Sequence, residues 1–583
     1  MKTNRRDLLT NAALGGLGAS TLGLGACSPN ESTAAETDAI SEKITARTIA
    51  EAEKLMGLTY TPNERQMMLS GLEGGLEALT RLHAMDLPNS LAPATTFEPK
   101  LRGRRYPSQK NTLTLSGQYQ ADLPQDRFDI AFATIAQQGA WLRSGAITSL
   151  ALTNIYLERI ERFAPKLECF VTVMADHARE QASAADKALA DGRDRGPLHG
   201  IPYALKDLAD VENGRTSWGA TPYKDRIATK DAAIVRKLDR AGAVLLGKTT
   251  LGALAYGDIW FDGKTRNPWN VEEGSSGSSA GSASALAAGL CSFSIGTETL
   301  GSIVSPSERC GVTGLRPTFG RISRAGLMAL SWSFDKAGPL CRSVEDTAIV
   351  LSKLNGYDQN DPGANRHGFT YDGTIDIASM TVGYVPEWFE NGDDVDRAAL
   401  EAMRALGVTL KPFAFPAVNF ESVIAPVLVE SAAAFSELTL SNRDDDLVWQ
   451  SPNAWPNTWR QARFTSAVDY IQIDRVRRQL MIAMGDAFDG FDALIGPHYA
   501  GGALLATNAT GHPQLAMRAG FAQLPTRGDD EASTSEQAAI THRVPRGISL
   551  WSDLFKEGNI IALGHALEGA LNVSTERPVA FGR

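Results

Sequence analysis

The chain has 583 residues, 43% of them hydrophobic and 21% charged, the balance of an ordinary globular protein. Its formal charge of −10, which becomes −12 once residues 1–26 with Lys2, Arg5, Arg6 and Asp7 are set aside, argues against nucleic acid as a partner. The five Cys fall at no metal-like spacing and none of the eight His pairs as HxH or HxxxH, so neither a metal nor a cofactor is expected.

The chain opens on Arg5-Arg6-Asp7-Leu8-Leu9, a twin-arginine pattern. The Gly/Ala-rich stretch Ala12–Ala26 after it is too short and too weakly apolar for a good membrane span. It ends in Leu24-Gly25-Ala26-Cys27, which resembles the lipobox of bacterial lipoproteins. Residues 1–26 therefore read as an export signal, with Cys27 lipidated and anchoring a periplasmic or cell-surface protein; plain cleavage without lipidation is the alternative. Twin-arginine export carries folded proteins, so Cys169, Cys291, Cys310 and Cys341 are expected to be free and buried. Residues 27–41 are small and polar and read as a flexible tether, and residues 42–583 as a single body with insertions.

Residues 42–95 carry apolar side chains at helical spacing, and residues 96–125 read as a wrapping loop. A second helical stretch spans 131–190, and from Ile201 the pattern alternates. IPYALKDLADV is strand-like, DAAIVRKLDRAG helical, AVLLGKTT a buried strand, SASALAAGL a helix, CSFSIGTET a strand and SVEDTAIVLSKLNG a helix. Alternation of this kind predicts an α/β fold with a mixed, largely parallel central sheet covered by helices on both sides. Beyond Pro362 the pattern loosens into strand and helix segments, with residues 430–488 largely helical. Pro525–Glu536 has no periodicity and is predicted to be a surface loop.

The densest run of small residues is GSSGSSAG (Gly274–Gly281), continued by GTETLGSIVSPS and GVTGLRPTFGRISR. Gly allows close backbone approach to a ligand, and Ser supplies hydroxyls that act as nucleophiles or proton carriers. Upstream, Lys206 stands in the apolar setting GIPYALKDLADV. A Ser hydroxyl attacks a carbonyl only if its proton is removed, and a buried Lys can be the base because burial disfavours its ammonium form. One Lys and two spaced Ser are the parts of a serine hydrolase that uses no histidine.

The segments HGIPYALKDLADV, GSSAGSASALAAGL, GTETLGSIVSPSERCGVTGLRPTFGRISRAGL and SFDKAGPL together resemble the amidase signature family, in that family's order. The resemblance covers residues 130–355 well and 485–575 more loosely. It implies the family's fold and an acyl-enzyme route to cleavage of an amide C–N bond in a small-molecule substrate. It places the nucleophile on Ser302, the bridging serine with its cis peptide bond on Ser278, and the base on Lys206. It also places the oxyanion hole on the backbone N–H groups of Thr299, Leu300, Gly301 and Ser302.

Three positions depart from the family pattern. Val304 stands where many members carry an arginine that anchors an anionic substrate, which favours neutral or apolar acyl groups. Ala280 replaces a usual Gly, and Leu300 puts bulk beside the oxyanion hole. Glu298 is expected to order the loop, while Ser279 and Ser282 hold it by backbone hydrogen bonds. Other readings stay open: ester or carbamate cleavage by the same machinery, the glutaminase-type component of a tRNA amidotransferase, an inactive binding lipoprotein, or an α/β-hydrolase with Ser279 in GxSxG as nucleophile. That last needs a hydrophobic strand before the elbow, which NPWNVEEGSS does not supply. His498, His512 and His565 are expected to pack or hydrogen-bond, and Trp449, Trp455 and Trp459 either to line a pocket or to fill a helix interface.

Overall fold

The computed structural model describes residues 44–582 apart from positions 86, 118, 121 and 528–539. The expected export signal, the expected tether and Cys27 lie outside the described residues, as does most of the loop expected over Pro525–Glu536. Among the described residues no helix is long and apolar enough to cross a membrane.

The chain divides into two compact units, one ending at Glu77 and the other beginning at Ala78. In the first, helix α1 (Ala46–Met56) starts at Thr45, whose hydroxyl accepts the Thr48 N–H while Thr48 Oγ1 accepts the Thr45 N–H. This reciprocal cap satisfies donors that a helix start otherwise leaves open. Glu53 of α1 accepts two 2.7 Å hydrogen bonds from Arg65 of α2 (Pro62–His83).

The second unit is built on an eleven-stranded sheet. In chain order its strands are β1 (Phe170–Val173), β2 (Pro202–Lys206), β3 (Val244–Thr249), β4 (Phe293–Glu298), β5 (Thr313–Arg316), β6 (Lys336–Cys341), β7 (Thr381–Tyr384), β8 (Thr409–Pro412), β9 (Ala493–Gly496), β10 (Gln514–Pro525) and β11 (Thr541–Trp551). In space they run β8-β7-β9-β11-β10-β5-β6-β4-β2-β3-β1. The α/β class and the mixed sheet are as expected, but mostly parallel pairing is not. The β2–β3, β2–β4, β7–β8 and β7–β9 pairs are parallel, and the other six are antiparallel. Parallel pairing needs a long crossover, and helix–strand alternation supplies one around β2, β3 and β4. Helices between Tyr384 and Thr409 serve the parallel β7–β8 pair, whereas β10 and β11 follow one another in the chain and pair antiparallel in a register from Gln514↔Trp551 to Pro525↔Thr541.

Helices pack around the sheet. Helix α3 (Ser149–Leu167) begins at Thr148, whose side chain accepts the Ala151 N–H, a cap worth about 1 kcal/mol. Its inner stripe of Leu152, Ile155, Tyr156, Ile160, Phe163 and Leu167 is buried in the main core. Strands β2 and β3 are buried along their whole length, as parallel strands covered on both faces must be. That burial takes Lys206, the last residue of β2, out of water.

Candidate active site

The parallel pairing of β2 with β4 brings their carboxyl ends together, the usual place for a ligand site in such a sheet. Lys206 ends β2, Thr297 and Glu298 end β4, and Ser278 and Ser279 lead into helix α6 (Ala280–Ala287), which follows α4 (Ala175–Ala190) and α5 (Ala233–Arg240) along the chain. The Gly277–Ser278 peptide bond is cis. Gly277 is obligatory on packing grounds, since a Cβ there would lie 1.8 Å from the Gly257 carbonyl oxygen. Gly296 is likewise fixed, because a Cβ would meet Ser279 Oγ at 2.6 Å.

Lys206 is 1% exposed, and its Nζ lies 2.8 Å from Ser278 Oγ, 2.9 Å from Thr297 Oγ1 and 3.1 Å from Ser279 Oγ. Among the described residues it has no carboxylate at ion-pair distance. Lys248, equally buried on the adjacent strand, does have one, with Asp207 at 2.8 Å. Burial therefore pushes the Lys206 amine well below its ordinary value, and the charges of Asp335 and Glu298 oppose this only in part. A neutral amine has two N–H groups and one lone pair. The N–H groups find Thr297 Oγ1 and Ser279 Oγ, and the lone pair is left for Ser278.

The Ser302 carbonyl accepts the Ser279 N–H at 3.1 Å, which ties the turn after β4 to the Ser278–Ser279 segment. Ser302 Oγ makes no hydrogen bond to any described residue, and the Ser278–Ser302 link is therefore not formed here. Catalytic hydrogen bonds in a substrate-free site are commonly longer than those in the reacting complex. The backbone N–H groups of Thr299, Leu300, Gly301 and Ser302 meet no acceptor among the described residues. Gly301 takes φ 84°, which lets the turn close.

The turn is held from behind by Glu298, whose carboxylate accepts the N–H groups of Ile303 (2.8 Å) and Val304 (3.0 Å) at the start of helix α7 (Val304–Cys310). It also accepts from Arg316 (2.7 Å) and Asn508 (2.8 Å). Burial would raise this carboxyl, but the Arg316 charge and these hydrogen bonds outweigh it and bring it to about 2. The expected ordering role is thus met, through partners the sequence did not reveal. Glu298→Gln leaves the Arg316 guanidinium buried without its counter-charge and should cost roughly 3–5 kcal/mol at pH 7. Because the folded value lies below the ordinary 4.5, this contribution is complete above pH 4.5 and fades as pH falls towards 2. Thermal unfolding of the two proteins across that range should converge at the acid end, and equal melting at pH 7 would refute the account.

Other expectations resolve plainly. Ser279 Oγ accepts the Thr297 N–H and donates to the Thr297 carbonyl, and Ser282 Oγ donates to Ile295 O, so both hold the loop. The strand before Ser279 (Asn270–Gly274) belongs to a separate two-stranded sheet, which removes the nucleophile elbow of an α/β-hydrolase. His498, His512 and His565 bond to Ser549, Thr510 and Ser116, away from Lys206. Cys169, Cys291, Cys310 and Cys341 are free and buried. Trp459 stacks with both Trp455 and Phe435 inside a second core cluster, and Trp449 stacks on Tyr256. Leu208, Ala255, Met328 and Leu330 of that cluster wall a cavity of about 310 Å³, with Thr297, Thr299 and Asp335 on its polar side. Thr297 and Asp335, which sequence reasoning missed, thus link the lysine's surroundings to this cavity. Asp335 accepts from Thr299 Oγ1 at 2.6 Å, and burial raises its carboxyl.

The amidase family's sequence model matches residues 151–542. The chain belongs to the amidase family. Among its relatives, a glutamyl-tRNA(Gln) amidotransferase subunit from Marinomonas sp. (strain MWYL1) is 31% identical, over 75% of this chain and 96% of that one. The corresponding protein of Desulfatibacillum aliphaticivorans is 33% identical, over 76% and 98%. The peptide amidase of Stenotrophomonas maltophilia aligns in structure with a TM-score of 0.65 and 29% identity, over 76% of this chain and 98% of its own. The amidase is an amide-cleaving hydrolase with the large mixed sheet of that family.

Proposed function

We propose that this amidase hydrolyses uncharged carboxamides through an acyl-enzyme on Ser302. The reading rests on Lys206, whose Nζ is shielded from water, has no carboxylate partner among the described residues and lies 2.8 Å from Ser278 Oγ. Ser302 Oγ attacks the amide carbon as its proton passes to Ser278 Oγ, while the Ser278 proton passes to Lys206 Nζ. The N–H groups of residues 299–302 take the negative charge of the tetrahedral oxygen, each worth about 2.7–4 kcal/mol. Collapse breaks the C–N bond, and the leaving amine takes a proton back from Lys206 through Ser278. Water then adds to the acyl ester by the same relay and frees Ser302.

The substrate class follows from what surrounds the turn. Leu300 packs against a cluster holding Phe413, Val423 and Val427, and Val304 offers no charge for an anionic group. Apolar acyl groups and peptide amides are therefore preferred over glutamine. Purified protein should release ammonia or amine from amidated peptides and acyl amides faster than from glutamine. Turnover confined to glutamine would overturn the assignment.

We further propose that the amidase is exported and lipid-anchored, on the strength of Arg5-Arg6 and the Leu24–Cys27 motif. Cys27→Ser should move it from the membrane fraction to the soluble one. Unchanged sedimentation with membranes would refute the anchor.

A further inference from the structure

Arg518 lies on β10 at a point where the register with β11 shifts, between Arg518 and Gly520. Bulges of this kind re-aim side chains. Arg518 lines a cavity of about 140 Å³ together with Arg342, Arg577 and Glu576. Arg518 donates one hydrogen bond, to the Ser574 carbonyl at 2.6 Å, while its buried Nε meets no acceptor. Arg342, directly after β6, spends its donors on the carbonyls of Phe132, Ala133 and Cys291 and on the Tyr156 hydroxyl. Among the described residues neither Arg342 nor Arg518 has a carboxylate at ion-pair distance.

The nearby acids are otherwise engaged. Asp129 pairs with Arg577 at 2.7 Å, Glu576 holds Arg543 by bonds of 2.6 and 2.9 Å, and Glu568 accepts the Val344 N–H. Arg159, Arg342 and Arg577 all lie over the Phe132 ring, at 5.2, 6.0 and 4.8 Å from its centre. Asp129 balances Arg577 and Glu576 lines the same cavity, yet Arg159, Arg342 and Arg518 have no carboxylate at ion-pair distance among the described residues, and such an excess of buried guanidinium favours an added anion. Guanidinium groups suit a phosphate oxygen pair, and the cavity has room for one tetrahedral oxyanion.

We propose that the cavity between Arg342, Arg518 and Arg577 is a binding site for a phosphate group, separate from the Lys206–Ser302 site. The free anion and a phosphomonoester share this chemistry. The full chain is titrated calorimetrically, at constant ionic strength, with inorganic phosphate and with glycerol 3-phosphate. Saturable binding of one equivalent is expected, and whichever ligand binds more tightly identifies the source. Arg518→Gln and Arg577→Gln should each weaken binding about tenfold or more, the loss of one charge-assisted hydrogen bond. Arg404→Gln, at an exposed pair with Glu401, should not change it. Circular dichroism identifies the folded variants, and weakened binding in either one supports the site. Absence of saturable binding to the parent chain, equal binding of acetate, or undiminished binding in the folded variants would overturn it.

Discussion

Ser302→Ala should lower kcat on any amide by a factor on the order of 10⁴ to 10⁶, the loss seen when a hydrolase forfeits its nucleophile. The fold should not register the change. Ser302 Oγ has no hydrogen-bond partner among the described residues, so melting should shift by no more than an ordinary surface substitution, within about 0.5 kcal/mol. A fluorophosphonate probe should add once to the parent protein and not at all to the variant. Peptide mapping should put the adduct on residue 302. An adduct on Ser279, or a variant that turns over at the parent rate, would remove Ser302 from the chemistry.

Lys206→Ala should cost roughly 10²- to 10⁴-fold, the usual worth of a positioned general base. The pH profile separates this from mere damage. Burial favours the neutral amine, so kcat/KM of the parent should rise with pH through a value well below that of free lysine and then level off. The variant should lack that limb. Stability carries the same signature with a definite sign. Between the lowered folded value and 10.5 the unfolded chain binds the extra proton, so the parent gains stability as pH rises through that window. The slope of melting temperature against pH should be shallower in the variant. A profile and slope unchanged by the substitution would show that residue 206 titrates like any surface lysine.

Most of the site can be read from local sequence because its parts sit on short, unbroken segments. Lys206, Ser278 and the turn 299–302 each lie in a stretch whose composition is odd for a core, and the structure gathers them at the ends of β2 and β4. What a local window misses is long-range. Glu298 meets Arg316 across 18 residues and Asn508 across 210, and nothing in GTET or TNATGH announces either partner. Thr297 gives no signal either, because a threonine in a strand is ordinary until a buried amine needs an acceptor. The sheet shows the same divide. Helix–strand alternation reveals β2, β3 and β4, whereas β10 (QLAMRAGFAQLP) and β11 (THRVPRGISLW) mix Gly, Pro and Arg and lack clean alternation. Their pairing across the sheet makes most neighbours antiparallel, which no short segment conveys.

The carboxylate behind the turn grips Ile303 and Val304, one step past the segment 299–302 proposed to receive the reacting carbonyl. Rigidity and selectivity are thereby assigned to different side chains. Leu300 can be enlarged or trimmed to admit new acyl groups without disturbing the anchor, so substrate range in this scaffold can drift while the rate-giving geometry stays put.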